Sequence, residues 1–128
     1  YVKPGITFTP IRKLKVKYYS KYDKMYINAY KEKDNNIDES ITINLDNSFL
    51  GIDKYFLKGN NDVNTAYFIR NYMYKIIDSI GGEVEITKFD TTTNIVSGTF
   101  FLKAINENDS SDIVDITEGR FDLIYEKF

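Results

Sequence analysis

Ser97-Gly98-Thr99 is the place to look for a serine nucleophile, a hydroxyl beside a glycine inside an apolar run. Such a serine needs a base, and this chain of 128 residues contains no His. No second glycine completes a G-x-S-x-G elbow either. Cys is also absent, which excludes disulfides, thiol nucleophiles and, together with the missing His, the usual zinc sites. Chemistry based on carboxylates, Lys or Tyr remains. Asp115, Glu118, Asp122 and Glu126 lie near the C-terminus and are candidates for glycoside hydrolysis, which needs two carboxyl groups ~5–10 Å apart in a cleft. Two loops place oxygen ligands at alternate positions: Asn106, Asn108, Ser110 and Asp112, and Asp90, Thr92 and Asn94. Neither has the central glycine and bidentate glutamate of an EF-hand, so both read as solvated turns. Neither a metal nor a cofactor is expected, and the chain reads as a non-enzyme.

Tyrosine is the surplus that could bind. Of 11 Tyr, five (Tyr18, Tyr19, Tyr22, Tyr26 and Tyr30) crowd one region, and Tyr26 and Tyr30 have the parity opposite to Ile27 and Ala29. Outward tyrosines on a sheet make a platform for a carbohydrate or another protein. They also form cross-strand pairs that stabilise an exposed face. Tyr19, Tyr22, Tyr26 and Tyr30 are the candidate binding face.

The same region is basic. Residues 1–33 hold nine Lys/Arg against Asp23 and Glu32, while the whole chain has a net charge of −2. Lys13, Lys15 and Lys17 alternate with Leu14, Val16 and Tyr18, the pattern of one solvated strand face. Arg12 is the only arginine there and no glycine-rich phosphate loop accompanies it, so nucleic acid is not an expected partner. No apolar run reaches the ~18–20 residues of a membrane span. The chain starts at Tyr1 without a signal peptide, as a trimmed or mature segment would.

The elements that must position these residues are strands. Alternation with period two, bounded by turn formers, recurs throughout. It predicts strands over 5–9 (Ile6 and Phe8 alike), 12–20 (Leu14, Val16 and Tyr18 inward), 25–32 (Met25, Ile27, Ala29) and 40–45 (Ile41, Ile43, Leu45). Further strands are predicted at 54–58, 65–70, 83–89, 95–105, 113–117 and 120–127, the last with Phe121, Leu123 and Tyr125 inward. "EKDNNIDE" and "NENDSSD" read as loops, and "KGNNDVN" as a hairpin connection. Residues 71–80 fit a strand, with a short helix as the alternative, and Gly81-Gly82 ends either. Phe89 breaks parity, which calls for a bulge near Lys88. Gly98 falls on an inward face, where a glycine marks a bulge, a bend or an aromatic ring across the backbone. The expected architecture is one all-β domain over residues 1–128, an antiparallel meander of nine or ten strands forming a barrel or flattened sandwich.

Three segments in fixed order, "ITKFD", "NIVSGTF" and "ITEGRFDLIY", resemble a family of small Bacteroidetes envelope lipoproteins built on a domain of unknown function. "GITFTP" and "YFLKGNNDVNTAYF" are similar to its opening strand and central hairpin. The resemblance implies an exported, lipid-anchored protein whose single all-β domain ends in a GRFD-like segment. It brings no activity, and points to Lys88, Phe89, Asp90, Ser97, Gly98, Thr99, Phe100, Thr117, Gly119, Arg120, Phe121 and Asp122 as structural motif residues. Phe89, Phe100 and Phe121 are expected to form one aromatic cluster, and Arg120, set by a bulge at Gly119, to pair with Asp90 or Asp122. The functional expectation is a non-catalytic envelope module that contacts a glycan or another envelope protein. The alternatives are a small-ligand barrel carrier and a carboxylate hydrolase.

Overall fold

Alternating inward and outward side chains turn almost the whole chain into sheet. The computed structural model describes residues 6–7, 13–33, 36–46, 50–59, 64–77 and 81–128. Among these, eleven strands form one mixed sheet and no helix occurs: β1 (Ile6–Thr7), β2 (Lys13–Tyr19), β3 (Lys24–Lys33), β4 (Asn36–Asp46), β5 (Asp53–Leu57), β6 (Asn64–Arg70), β7 (Tyr72–Ile76), β8 (Gly82–Asp90), β9 (Ile95–Asn106), β10 (Asp109–Ile124) and β11 (Glu126–Lys127). Phe8, read above as alike in direction to Ile6, and residues 78–80 of the stretch read as strand or short helix lie outside the described residues.

The hairpins follow the alternation. β2 pairs with β3, β3 with β4, β6 with β7, β8 with β9 and β9 with β10, all antiparallel. Residues 72–76 are strand, with Tyr74 and Ile76 buried, and Gly81 takes a positive φ of 70° before β8 begins. Several connections differ from the sequence reading. β3 and β4 extend to Lys33 and Asn36, so the "EKDNNIDE" loop is mostly ladder. "KGNNDVN" does not join two paired strands: β5 pairs with β8, and β6 pairs with β4. A single Lys58 N–H to Asn64 O bond of 2.9 Å links the ends of that connection. Residues 113–117 and 120–127 are not two strands, because β10 runs unbroken from Asp109 to Ile124 through its bulges.

β9 is the branch point: its first part pairs with β8 and its last residues with β7, while β10 covers its other edge. At the outer limits of the sheet, β1 lies parallel to β10 at Ile116–Thr117 and β11 lies parallel to β2 at Lys17–Tyr18. The start of the chain therefore runs alongside its end, although the sheet is not closed. The ladder of β11 continues as Phe128 N–H to Tyr18 O (2.8 Å) and Ser20 N–H to Phe128 O (3.2 Å).

The inward faces meet in one core, which includes Met25, Ile27, Ile43, Leu45, Phe68, Ile86, Phe100 and Leu102. Each of these is almost fully removed from water, the dominant favourable term in folding. One end of the core is closed by aromatics. Tyr18, Phe89 and Tyr125 meet edge to face with centroids 5.3–5.6 Å apart. The other end is polar, with Arg70 Nη1 3.3 Å from Glu39 Oε1 and its guanidinium over the Phe68 ring. Beside it, Tyr74 OH donates to Asp112 Oδ2 (2.6 Å), which also accepts from Asn106 Nδ2 (3.1 Å). These pairings satisfy charged and polar groups that would otherwise be costly to bury.

Candidate functional site: the tyrosine face of β2 and β3

The motif segments meet side by side. In the β9–β10 ladder Ser97 faces Asp122, Gly98 faces Phe121, Thr99 faces Arg120, and Phe100 faces Gly119. Both strands thus carry a G-x-F triplet, and antiparallel pairing sets each glycine against the other strand's ring. A Cβ on Gly98 would collide with Glu85 O and the Phe121 ring, and one on Gly119 with the Phe100 ring. The two rings stack with centroids 6.4 Å apart. Covering glycine backbone with a cross-strand aromatic restores the packing that the missing side chain would supply. Ser97 Oγ donates to Asp122 Oδ1 at 2.6 Å, so the serine hydroxyl is committed to a strand pair.

Bulges set this block. Thr117 and Glu118 stand opposite the single Phe101, and Glu118 takes a positive φ of 56°. Thr87 is the extra residue in β8, one position before Lys88, and it turns Phe89 inward. Two expectations need correction. Phe89 does not join Phe100 and Phe121; its partners are Tyr18 and Tyr125, because the Thr87 bulge directs it toward the far end of the core. Arg120 pairs with neither Asp90 nor Asp122 and, among the described residues, makes no ion pair within 4.0 Å. Asp122 is taken by Ser97. Asp90 accepts the backbone N–H of Thr92 (2.8 Å) and Thr93 (3.2 Å), and these bonds, Thr92's first, hold its carboxyl below the usual range. Lys88 is exposed, and Thr117 lies beside Thr7 of β1.

The tyrosines do gather. Lys15, Lys17 and Tyr19 of β2 and Tyr26, Asn28 and Tyr30 of β3 line one outer-surface groove of about 500 Å³. Their alternation with Val16, Met25, Ile27 and Ala29, all buried, is what turns them outward. Tyr19 is fixed between Tyr26 (edge-on, 5.5 Å) and Phe128 (stacked, 4.9 Å). Asn28 Nδ2 donates to Thr42 Oγ1 (3.0 Å) and Ile41 O (3.3 Å), which leaves Oδ1 as an acceptor. Tyr22 is the exception: it sits 61% exposed in the β2–β3 turn, with Lys21 Nζ over its ring, and does not line the groove. Lys15, Lys17 and Asn28 line the groove, and Phe128 stacks beside it, although none belonged to the candidate face. The lysine alternation, read as a solvated strand face, was the signal that could have included the two lysines.

Two further grooves, each of about 470 Å³, were weighed for catalysis. One, on the outer side of the G-x-F block, is lined by Thr99, Phe101, Arg120 and a lone carboxylate, Glu118. The other contains Asp53 and Glu85, but Asp53 accepts the Lys54 backbone N–H (2.7 Å) and Glu85 faces the Lys54 ammonium at 3.8 Å. Glycoside hydrolysis needs two carboxyl groups facing each other across a cleft, and these two are each engaged by Lys54 instead. Of the two calcium-ligand runs, Asp90 to Asn94 is a tight turn at the end of β8. "NENDSSD" is not a loop: only residues 107–108 turn, Asn106 ends β9 and residues 109–112 open β10, with Asn106 bonded to Asp112 and Ser111 to Asp109. Among the described residues no group of three or more His, Cys, Asp or Glu is placed to hold a metal ion. None of the described helices could cross a membrane, since the sheet accounts for all regular structure.

No curated protein and no solved structure matches the chain. A family model does, that of the domain of unknown function DUF6252, over residues 15–124. That span takes in the tyrosine face from Lys15 onward and the whole G-x-F block, and the chain belongs to the DUF6252 family.

Proposed function

We propose that this domain is a non-catalytic binding module of a bacterial cell envelope and that it engages saccharide through the outer face of β2 and β3. The observation that carries this reading is the convergence of Tyr19, Tyr26, Tyr30 and Asn28 on one groove of about 500 Å³, a size suited to a small ligand. Tyrosine presents an apolar ring for the C–H face of a sugar and a hydroxyl for its polar edge. Among the described residues the inward rings and aliphatic chains pack into one core, and the groove lies on the opposite, outer surface. Ser97 is bonded to Asp122, and Asn106 and Asp112 are bonded at the polar end of the core, which supports a role without catalysis for these candidates.

The envelope location, lipid anchor and Bacteroidetes origin rest on the resemblance of "ITKFD", "SGTF" and "EGRFD" to lipoproteins of that kind. Fractionation of cells making the full-length protein, with palmitate labelling, tests them; a cytosolic, unlabelled product would refute that part. For the binding reading, a glycan array probed with the wild-type domain should give hits that Tyr26→Ala and Tyr30→Ala abolish while Tm stays within a few degrees. Hits that survive both substitutions would contradict the site.

A further inference from the structure

We propose that the saccharide is acidic, a uronate-bearing oligosaccharide whose carboxylates meet Lys15 and Lys17; this rests on the binding reading above. Both lysines are exposed and line the groove, ~6–7 Å apart at alternate positions of one strand. Their cross-strand neighbours on β3 are neutral: Lys15 faces Asn28 and Lys17 faces Tyr26. The next strand continues the pattern on the same face with Ser40, Thr42 and Asn44. Among the described residues no carboxylate lines the groove, although the chain as a whole has 19 Asp and Glu against 17 Lys and Arg.

Two other strand lysines lie near carboxylates, Lys24 3.5 Å from Asp46 and Lys54 3.8 Å from Glu85. Lys75, Lys88 and Lys103, by contrast, make no ion pair within 4.0 Å among the described residues and line no tyrosine groove. Lys15 and Lys17 make no ion pair within 4.0 Å among the described residues. Glu126 lies beside Lys17 in the β11 ladder, yet the lysine ammonium lies 6.0 Å from the Phe128 ring centroid instead. Two cations left uncompensated between aromatic platforms are complementary to an anion that also has a stacking face. An ammonium meets a carboxylate as a point charge, and a uronate ring also offers a C–H face against which the tyrosines can stack. Tyr26 and Tyr30 are ~13 Å apart along β3, a span for a short oligosaccharide with Lys15 beside its middle and Lys17 beside its Tyr26 end. The Tyr19–Tyr26–Phe128 stack is already assembled, so little ordering is needed on binding.

Titration calorimetry with hexasaccharides of polygalacturonate, alginate and hyaluronan, each beside its carboxyl-reduced counterpart, tests this. The expected result is binding of at least one acidic form, at least tenfold tighter than its reduced counterpart and weakened by added salt. Lys15→Gln and Lys17→Gln should each weaken it by up to about fivefold, the reach of an exposed ion pair, without changing Tm. Equal affinity for acidic and reduced forms, with both lysine variants unaffected, would overturn the acidic inference and leave the saccharide reading standing. Absence of binding to every sugar, or binding that Tyr26→Ala does not touch, would remove both. Tighter binding of an oligothymidylate than of any uronate would overturn the proposal in favour of single-stranded nucleic acid.

Discussion

Gly98 and Gly119 carry more of this fold than any charged residue of the motif. An added methyl at Gly98 meets a strand carbonyl and an aromatic ring at once, and neither can retreat without disturbing the core. Overpacking of this kind costs about 1–3 kcal/mol. Gly98→Ala should therefore lower Tm by about 5–10 °C in a thermal melt, on the usual conversion for a domain of this size. Arg120→Ala, removing an exposed side chain with no ion pair, should shift stability by no more than about 0.5 kcal/mol. A large loss at Arg120 with none at Gly98 would mean that the block is held together by charge. The inward glycine and its covering ring were legible from the parity of Gly98. The reciprocity was present too, as G-x-F written twice, but recognising it requires knowing that the two segments are antiparallel neighbours. Arg120 was misread because Asp90 is taken by the local N–H groups of Thr92 and Thr93, and Asp122 by Ser97 across the β9–β10 ladder.

Among the elements, hairpins joined by short turns could be read from alternation alone, and so could the bulge that returns Phe89 to the core, one residue from where it was expected. The swap of β5 to β8 could not. β5 and β6 have equally good parity for pairing with each other, and only competition for the edges of β4 and β8 decides between the arrangements. The bulged β10 looked like two strands because its register shifts interrupt the period. The aromatic end of the core has a measurable signature. Burial, followed by the hydrogen bond Tyr18 donates to Asp23 (2.9 Å), pushes the Tyr18 hydroxyl up to about 12; burial also raises Tyr125 and Tyr55. The folded state thus holds these protons after the unfolded chain has begun to lose them. Their contribution is fully present below about pH 10 and is lost as pH rises through the folded value. Tm should fall steeply between pH 10 and 12, and Tyr18→Phe should flatten that fall. A wild-type Tm unchanged across the window would show that these hydroxyls ionise freely in the fold.

At the scale of the whole molecule, the start and end of the chain lie parallel, and β11 ties the last strand to the basic one. Alternation identifies strands but is silent on which distant strands meet, so the all-β class was legible and this wrap was not. Its consequence joins stability to binding. Deleting Glu126–Phe128 removes the Phe128–Tyr18 backbone bond and the ring stacked on Tyr19. The truncated protein should melt several degrees lower and bind saccharide more weakly than Tyr22→Ala, which changes a residue outside the groove.

The rings of the G-x-F block face the core, while the proposed binding face, the tyrosines with their two lysines, faces outward. The most direct measurement is amide chemical-shift mapping by NMR during titration with an acidic hexasaccharide. Shifts concentrated on Lys15, Lys17, Tyr19, Tyr26, Asn28 and Tyr30, with Thr99 and Arg120 unmoved, are the expected result. Shifts centred on Thr99, Phe101 and Arg120, with the tyrosine strands silent, would contradict it.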